Sequence, residues 1–103
     1  MTDGVNALIR QALRVVIDPE LGENIVDLGF IYDISVVGGV ARILMTTTTP
    51  GCPAAGFLKD GVEAAAAQVR GIISVEATMT FEPRWTSGLI NPAARASLGF
   101  GGD

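Results

Sequence analysis

The sequence predicts a two-layer α+β domain with elements in the order α-β-β-α-β-α, a small sheet with helices packed on one face. Three observations carry this. Apolar residues recur at helical spacing near the N-terminus and again after residue 53. Two alternating segments flank Gly38-Gly39, and a third alternating segment follows the second helical one. In the first helix Val5, Leu8, Ile9, Ala12, Leu13 and Val16 form the apolar stripe, and Thr2 or Asp3 is available as a cap. Asp18-Pro19 ends it, because the residue before a proline is pushed out of the helical region. The stretch from Pro19 to Gly29, PELGENIVDLG, reads as an acidic loop. Residues 30–37 alternate, with Tyr32, Ile34 and Val36 opposite Asp33 and Ser35. Gly38-Gly39 then supplies the positive φ angles of a two-residue hairpin turn. The return strand covers 40–48, where Ala41, Ile43 and Met45 alternate with Arg42 and Leu44. Pro53 suits the first position of a helix over 54–69, with Leu58, Val62, Ala65, Ala66 and Val69 inward and Gly71 as C-terminal cap. Residues 73–81 give the third strand, and Asn91 and Pro92 open a short last helix.

The chain has 103 residues, formal net charge −4, one cysteine and no histidine. That length predicts one domain over 1–103, with 100–103 a frayed tail. Without histidine there is no Ser/His/Asp triad, no Cys/His dyad and no imidazole base. One cysteine excludes an intramolecular disulfide and any site built from several thiols of one chain. The acidic balance argues against nucleic acid as a partner, and no apolar run approaches the length of a membrane span. The N-terminus lacks the basic-then-apolar pattern of a signal peptide, so the expected location is cytoplasmic. No phosphate-loop glycine pattern occurs.

Three places carry candidate chemistry. Cys52, in TTTTPGCP, falls between the second strand and the second helix. Unpaired amides and the positive end of the helix dipole favour an anion there, hence a thiolate, and Thr48 and Thr49 can present hydroxyls to the same mouth. The alternative is that Cys52 is a small buried apolar residue. The second place is the acidic loop, with Asp18, Glu20, Glu23 and Asp27, whose carboxylates serve either a hard cation or turns and caps. The loop enters one hairpin strand and TTTTPGC leaves its partner, so the two should be neighbours in space. The third is Trp85, in FEPRWTSG, which either closes one edge of the core or anchors a partner.

The run DPELG…IVDLGFIYDI, then TTTTPGCP, then FEPRWTSGLINPAARASLG, resembles the SufT/PaaD-like family of iron–sulfur cluster assembly factors, also called domain of unknown function fifty-nine. The resemblance extends from about residue 6 to residue 99. It implies a domain like the C-terminal domain of NifU scaffolds. It also implies that Cys52, in the family's T-P-x-C-P motif, is the functional residue, with Asp18, Glu20, Leu21, Thr48 and Thr49 lining the same cleft and Asp27 in its D-L-G turn. The cysteine-rich C-terminal region of PaaD proteins and the ATPase domain of Mrp-type relatives are missing here, so a free-standing SufT-like member is expected. Glu23 receives no role, because Gly22 intervenes after Leu21.

The resemblance therefore implies a non-enzymatic accessory factor that handles iron or an iron–sulfur cluster transiently. Its partners would be scaffolds, carriers or client proteins. Cluster irons take four ligands, usually thiolates, and one cysteine cannot supply them. Either a homodimer pairs two Cys52 residues around a cluster, or Cys52 makes one transient bond during handover. The competing reading is a protein-interaction module, with Cys52 structural and with Trp85, Leu89 and Ile90 forming an exposed contact face.

Overall fold

The computed structural model describes residues 2–48, 51 and 54–98. It has the expected α+β architecture: α1 (Thr2–Ala12), β1 (Ile31–Val37), β2 (Val40–Met45), α2 (Ala55–Ala67), β3 (Ser74–Met79) and α3 (Pro92–Leu98), with 3₁₀ turns at Leu13–Val15 and Ser87–Leu89. The strands lie in the order β1-β2-β3. β1 and β2 form an antiparallel hairpin, whereas β3 runs parallel to β2 after crossing over through α2. A parallel neighbour requires such a crossover, which carries α2 onto one face of the sheet.

The alternation expected of the strands sorts their faces. Ile34, Ala41, Ile43, Met45 and Ala77 point into the core, where Leu58, Val62 and Ala66 of α2 and Ile9 and Leu13 meet them. On the other face Asp33, Ser35, Arg42, Leu44, Glu76 and Thr78 line a polar groove of about 270 Å³. The hairpin turn is as expected, with φ of 57° at Gly38 and 82° at Gly39. A register shift between Ile31 and Asp33 makes Tyr32 an extra residue on β1, so Ile31 is buried as well as Ile34.

Several expectations are corrected. Leu8 is exposed (58%), because the face turned to the sheet runs through Ile9 and Leu13, leaving Leu8 beside it. α1 yields to a 3₁₀ turn at Leu13, before Asp18-Pro19 can end it. β2 stops at Met45 rather than at residue 48, although the Thr46 N–H still donates to the Phe30 carbonyl (2.8 Å). α2 starts at Ala55 with Ala54 as N-cap; Pro53, expected at the first helical position, lies outside the described residues. Its C-cap is Gln68, and Gly71 (φ 92°) serves the turn beyond. Asn91 does cap α3: its Oδ1 accepts the Ala94 N–H at 2.9 Å.

Candidate functional site

The acidic loop is a tightly closed structure built by its own polar groups. Asp18 is buried (1% exposed), and its Oδ2 accepts the Leu21 N–H at 2.9 Å. Its carbonyl accepts the Gly22 N–H, and its N–H donates to the Glu23 carbonyl. Ile17 and Asn24 form an antiparallel bridge at the base. The D-P-E-L-G stretch is therefore a closed turn in which one aspartate satisfies the backbone that would otherwise be stranded. Glu20 projects to solvent from it, whereas Leu21 packs against the core.

The second half of the loop is held from both sides. Asp27 Oδ1 pairs with Arg14 Nη1 (2.5 Å), and its Oδ2 accepts the Asn24 side-chain amide (3.0 Å). Asn24 Oδ1 in turn accepts the Asp27 N–H, and Glu23 Oε1 accepts the Asn24 N–H. The Asp27 carbonyl accepts the Asn91 N–H (2.8 Å), so the segment leading into α3 crosses over the loop. Leu28 is fully buried. Gly29 has φ 79°, and a Cβ built there would lie 2.4 Å from the Leu89 carbonyl oxygen. The D-L-G turn thus needs an acid for its cation and amide, an apolar plug, and a residue without a side chain where another backbone crosses.

Trp85 completes this cover. Its Nε1–H donates to the Leu28 carbonyl at 2.7 Å, and its ring meets Phe30 edge-on with centroids 5.5 Å apart. Tyr32 fixes the same end of the sheet by donating its hydroxyl proton to the Pro83 carbonyl (2.7 Å). Burial raises the Tyr32 pKa above the usual 10.0, and a hydrogen bond with the Thr46 side chain opposes the shift. Thr46 and Thr47 are buried, and Thr48 is half-buried as the chain leaves the sheet.

The structure therefore brings together Asp18, Leu21, Asp27 and Trp85 as parts of one braced loop. Phe30, where the loop enters β1, is hydrogen-bonded to Thr46, so the loop and the threonine segment leave the sheet at the same end. Cys52 and Thr49 lie outside the described residues. Among the described residues no three His, Cys, Asp or Glu side chains converge as a metal site. Asp18 and Asp27 are instead engaged with amides and, for Asp27, with Arg14. The contact face expected of Leu89 and Ile90 is corrected in part: Leu89 is exposed (44%), but Ile90 is buried (2% exposed), because it plugs the core ahead of α3. The bracing by Arg14, Asn24 and Asn91 was not anticipated. Only the spacing of D-L-G in the sequence hinted at it.

A family model described as iron–sulfur cluster assembly protein matches residues 6–79. The chain is 40% identical over 93 residues to an "Fe-S protein maturation auxiliary factor" of Porphyromonas gingivalis, covering 89% of each protein. It is 36% identical over 100 residues to the "Fe-S protein maturation auxiliary factor YitW" of Bacillus subtilis, covering 96% of this chain and 98% of that one. A crystal structure of a domain of unknown function, DUF59, from Bacillus anthracis superposes with a TM-score of 0.91 at 32% identity, covering 95% of this chain and 94% of the other. A family match over most of the chain, relatives of nearly equal length and a shared fold agree, and the chain belongs to the iron–sulfur cluster assembly protein family.

Proposed function

We propose that this protein is a non-enzymatic accessory factor in iron–sulfur cluster assembly or delivery, with Cys52 a transient ligand to the cluster it hands on. The observation that carries the reading is its end-to-end likeness to proteins named as iron–sulfur maturation factors. The chemistry of the chain supports it. Cys52 is the single thiol, and in sequence it stands two residues before Ala54, the N-cap of α2. Alanine has no side-chain group with which to cap the first amides of the helix, so their positive field is available to an anion such as a thiolate. The cluster is cargo. One thiolate replaces one departing ligand and is itself replaced by a client ligand, with no change in the number of electrons on the cluster. A site with one soft ligand passes a cluster on more readily than it keeps one.

On this reading Asp18 and Asp27 of the braced acidic loop are structural and add no iron ligands. Its carboxylates already accept hydrogen bonds at Asp18 and Asp27. Scaffolds, carriers and client apoproteins are the partners on this reading. The test is complementation of a strain lacking the gene, scored by the activity of its iron–sulfur enzymes. The Cys52→Ser variant is expected to lose most of the restored activity while folding like the wild type. Equal complementation by both would overturn the thiol's role.

A further inference from the structure

We infer that Tyr32 is a positioning residue for the thiol: its hydroxyl ties Thr46, where the chain leaves β2 on its way to Cys52, to the segment after β3. The inference rests on the reading of Cys52 as the working thiol. Tyr32 is the extra residue of the β1 bulge. Strict alternation would put it on the core side with Ile34. The bulge gives that side to Ile31 instead and leaves Tyr32 half-buried, with its hydroxyl on the Pro83 carbonyl at 2.7 Å. Bulges re-aim side chains in this way, often beside functional sites.

Proton counting gives these hydrogen bonds a direction. A carbonyl only accepts, so the one phenolic proton goes to Pro83. The Thr46 hydroxyl, which also bonds the phenol, is then the donor to it. Its Oγ1 lies a long 3.3 Å from its other acceptor, the Thr47 carbonyl. The relay runs from Thr46 to Tyr32 to Pro83 and joins three segments far apart in sequence. Thr46 is fully buried. A buried hydroxyl is costly unless it is bonded, and the bond to Tyr32 meets that need.

The main chain is held at the same point. The Thr46 N–H donates to the Phe30 carbonyl and the Met45 carbonyl accepts the Thr80 N–H, each at 2.8 Å. In sequence Cys52 follows Thr46 by six residues and precedes Ala54, the N-cap of α2, by two. The far end of this short connection is fixed too, because Leu58, Val62 and Ala66 seat α2 on the core. A functional group on such a connection is placed by what locks its ends. Loosening the Thr46 end frees the connection relative to the first amides of α2, whose field favours a thiolate.

Alkylation of the reduced, folded protein by iodoacetamide at one neutral pH tests this with no cluster present. Tyr32→Phe keeps the ring and removes both hydrogen bonds. It should slow the reaction about fivefold or more, the size of a lost helix-end field on a thiolate. Thr46→Val should act alike, and it replaces Tyr32→Phe if that variant does not fold by circular dichroism. Thr46→Ser keeps the hydroxyl and should stay within about twofold of the wild type. Asn6→Ala breaks a tie between α1 and β1 away from the relay and should leave the rate unchanged, which separates positioning from a general loss of stability. Unchanged or faster alkylation in the folded relay variants would overturn the inference. So would a Thr46→Ser variant as slow as Thr46→Val, or an equal fall in Asn6→Ala. Because the assay reads only the thiol, a fall confined to Tyr32→Phe and Thr46→Val supports the inference even where Cys52→Ser complements fully and the cluster reading fails.

Discussion

Gly29 is the residue at which local and tertiary demands meet most sharply. Its φ of 79° belongs to the left-handed region, and the Leu89 backbone occupies the space a side chain would need. Gly29→Ala therefore combines backbone strain with a clash against main chain, which cannot rotate away. The expected loss is more than about 3 kcal/mol, at the upper end for single substitutions, read from chemical denaturation. Asp27, two residues earlier, illustrates how a residue predicted for a cleft acquires a structural duty. Its carboxylate and carbonyl engage Arg14, Asn24 and Asn91, joining the loop to the 3₁₀ turn after α1 and to the entry of α3.

At the scale of elements, each outer strand of the sheet is tied to a helix by one side chain. Asn6 of α1 donates to the Ile34 carbonyl on β1 (3.1 Å), and Glu63 of α2 accepts the Ala77 N–H on β3 (3.2 Å). Edge strands expose unpaired backbone groups, and a side chain that satisfies one both fixes the helix and blunts the edge. Glu63→Ala is expected to cost about 1 kcal/mol and to speed hydrogen exchange at the Ala77 amide, whereas Glu63→Gln keeps an acceptor and largely restores protection. Unchanged exchange in Glu63→Ala would show that the contact does not protect the amide. These ties were not readable in advance. The helical stripe and strand alternation report which side of an element is apolar, but not which polar residue at its margin reaches a neighbour. Leu8 shows the same limit: its spacing fits the stripe, yet the axial rotation of α1 on the sheet turns it to water.

At the scale of the whole molecule, the single tyrosine links folding to alkaline pH. Burial raises the Tyr32 pKa above 10.0, so the folded state holds this proton more tightly than the unfolded chain. Its contribution is fully present below the unfolded value near 10.0 and is lost as pH rises through the higher folded value. The expected result is a midpoint of thermal unfolding that falls more steeply above pH 10.0 in the wild type than in Tyr32→Phe. Phenolate absorbance reads the ionisation directly, since no second tyrosine interferes. An equal slope in both proteins would remove Tyr32 from the alkaline response.

The sequence by itself determined the element order, the hairpin turn, the inward residues of β2 and the Asn91 cap, because these follow from periodicity and local backbone chemistry within a few residues. It also marked the D-P-E-L-G, D-L-G and T-P-x-C-P stretches as the places to look. Only the tertiary structure decided that Asp18 and Asp27 brace a loop, that Ile90 is core, and that Trp85 roofs the D-L-G turn by bonding the Leu28 carbonyl. Those roles depend on contacts between residues up to 64 positions apart, such as Asp27 with Asn91. Such pairings are set by how the layers settle against one another, and a linear pattern does not record that packing.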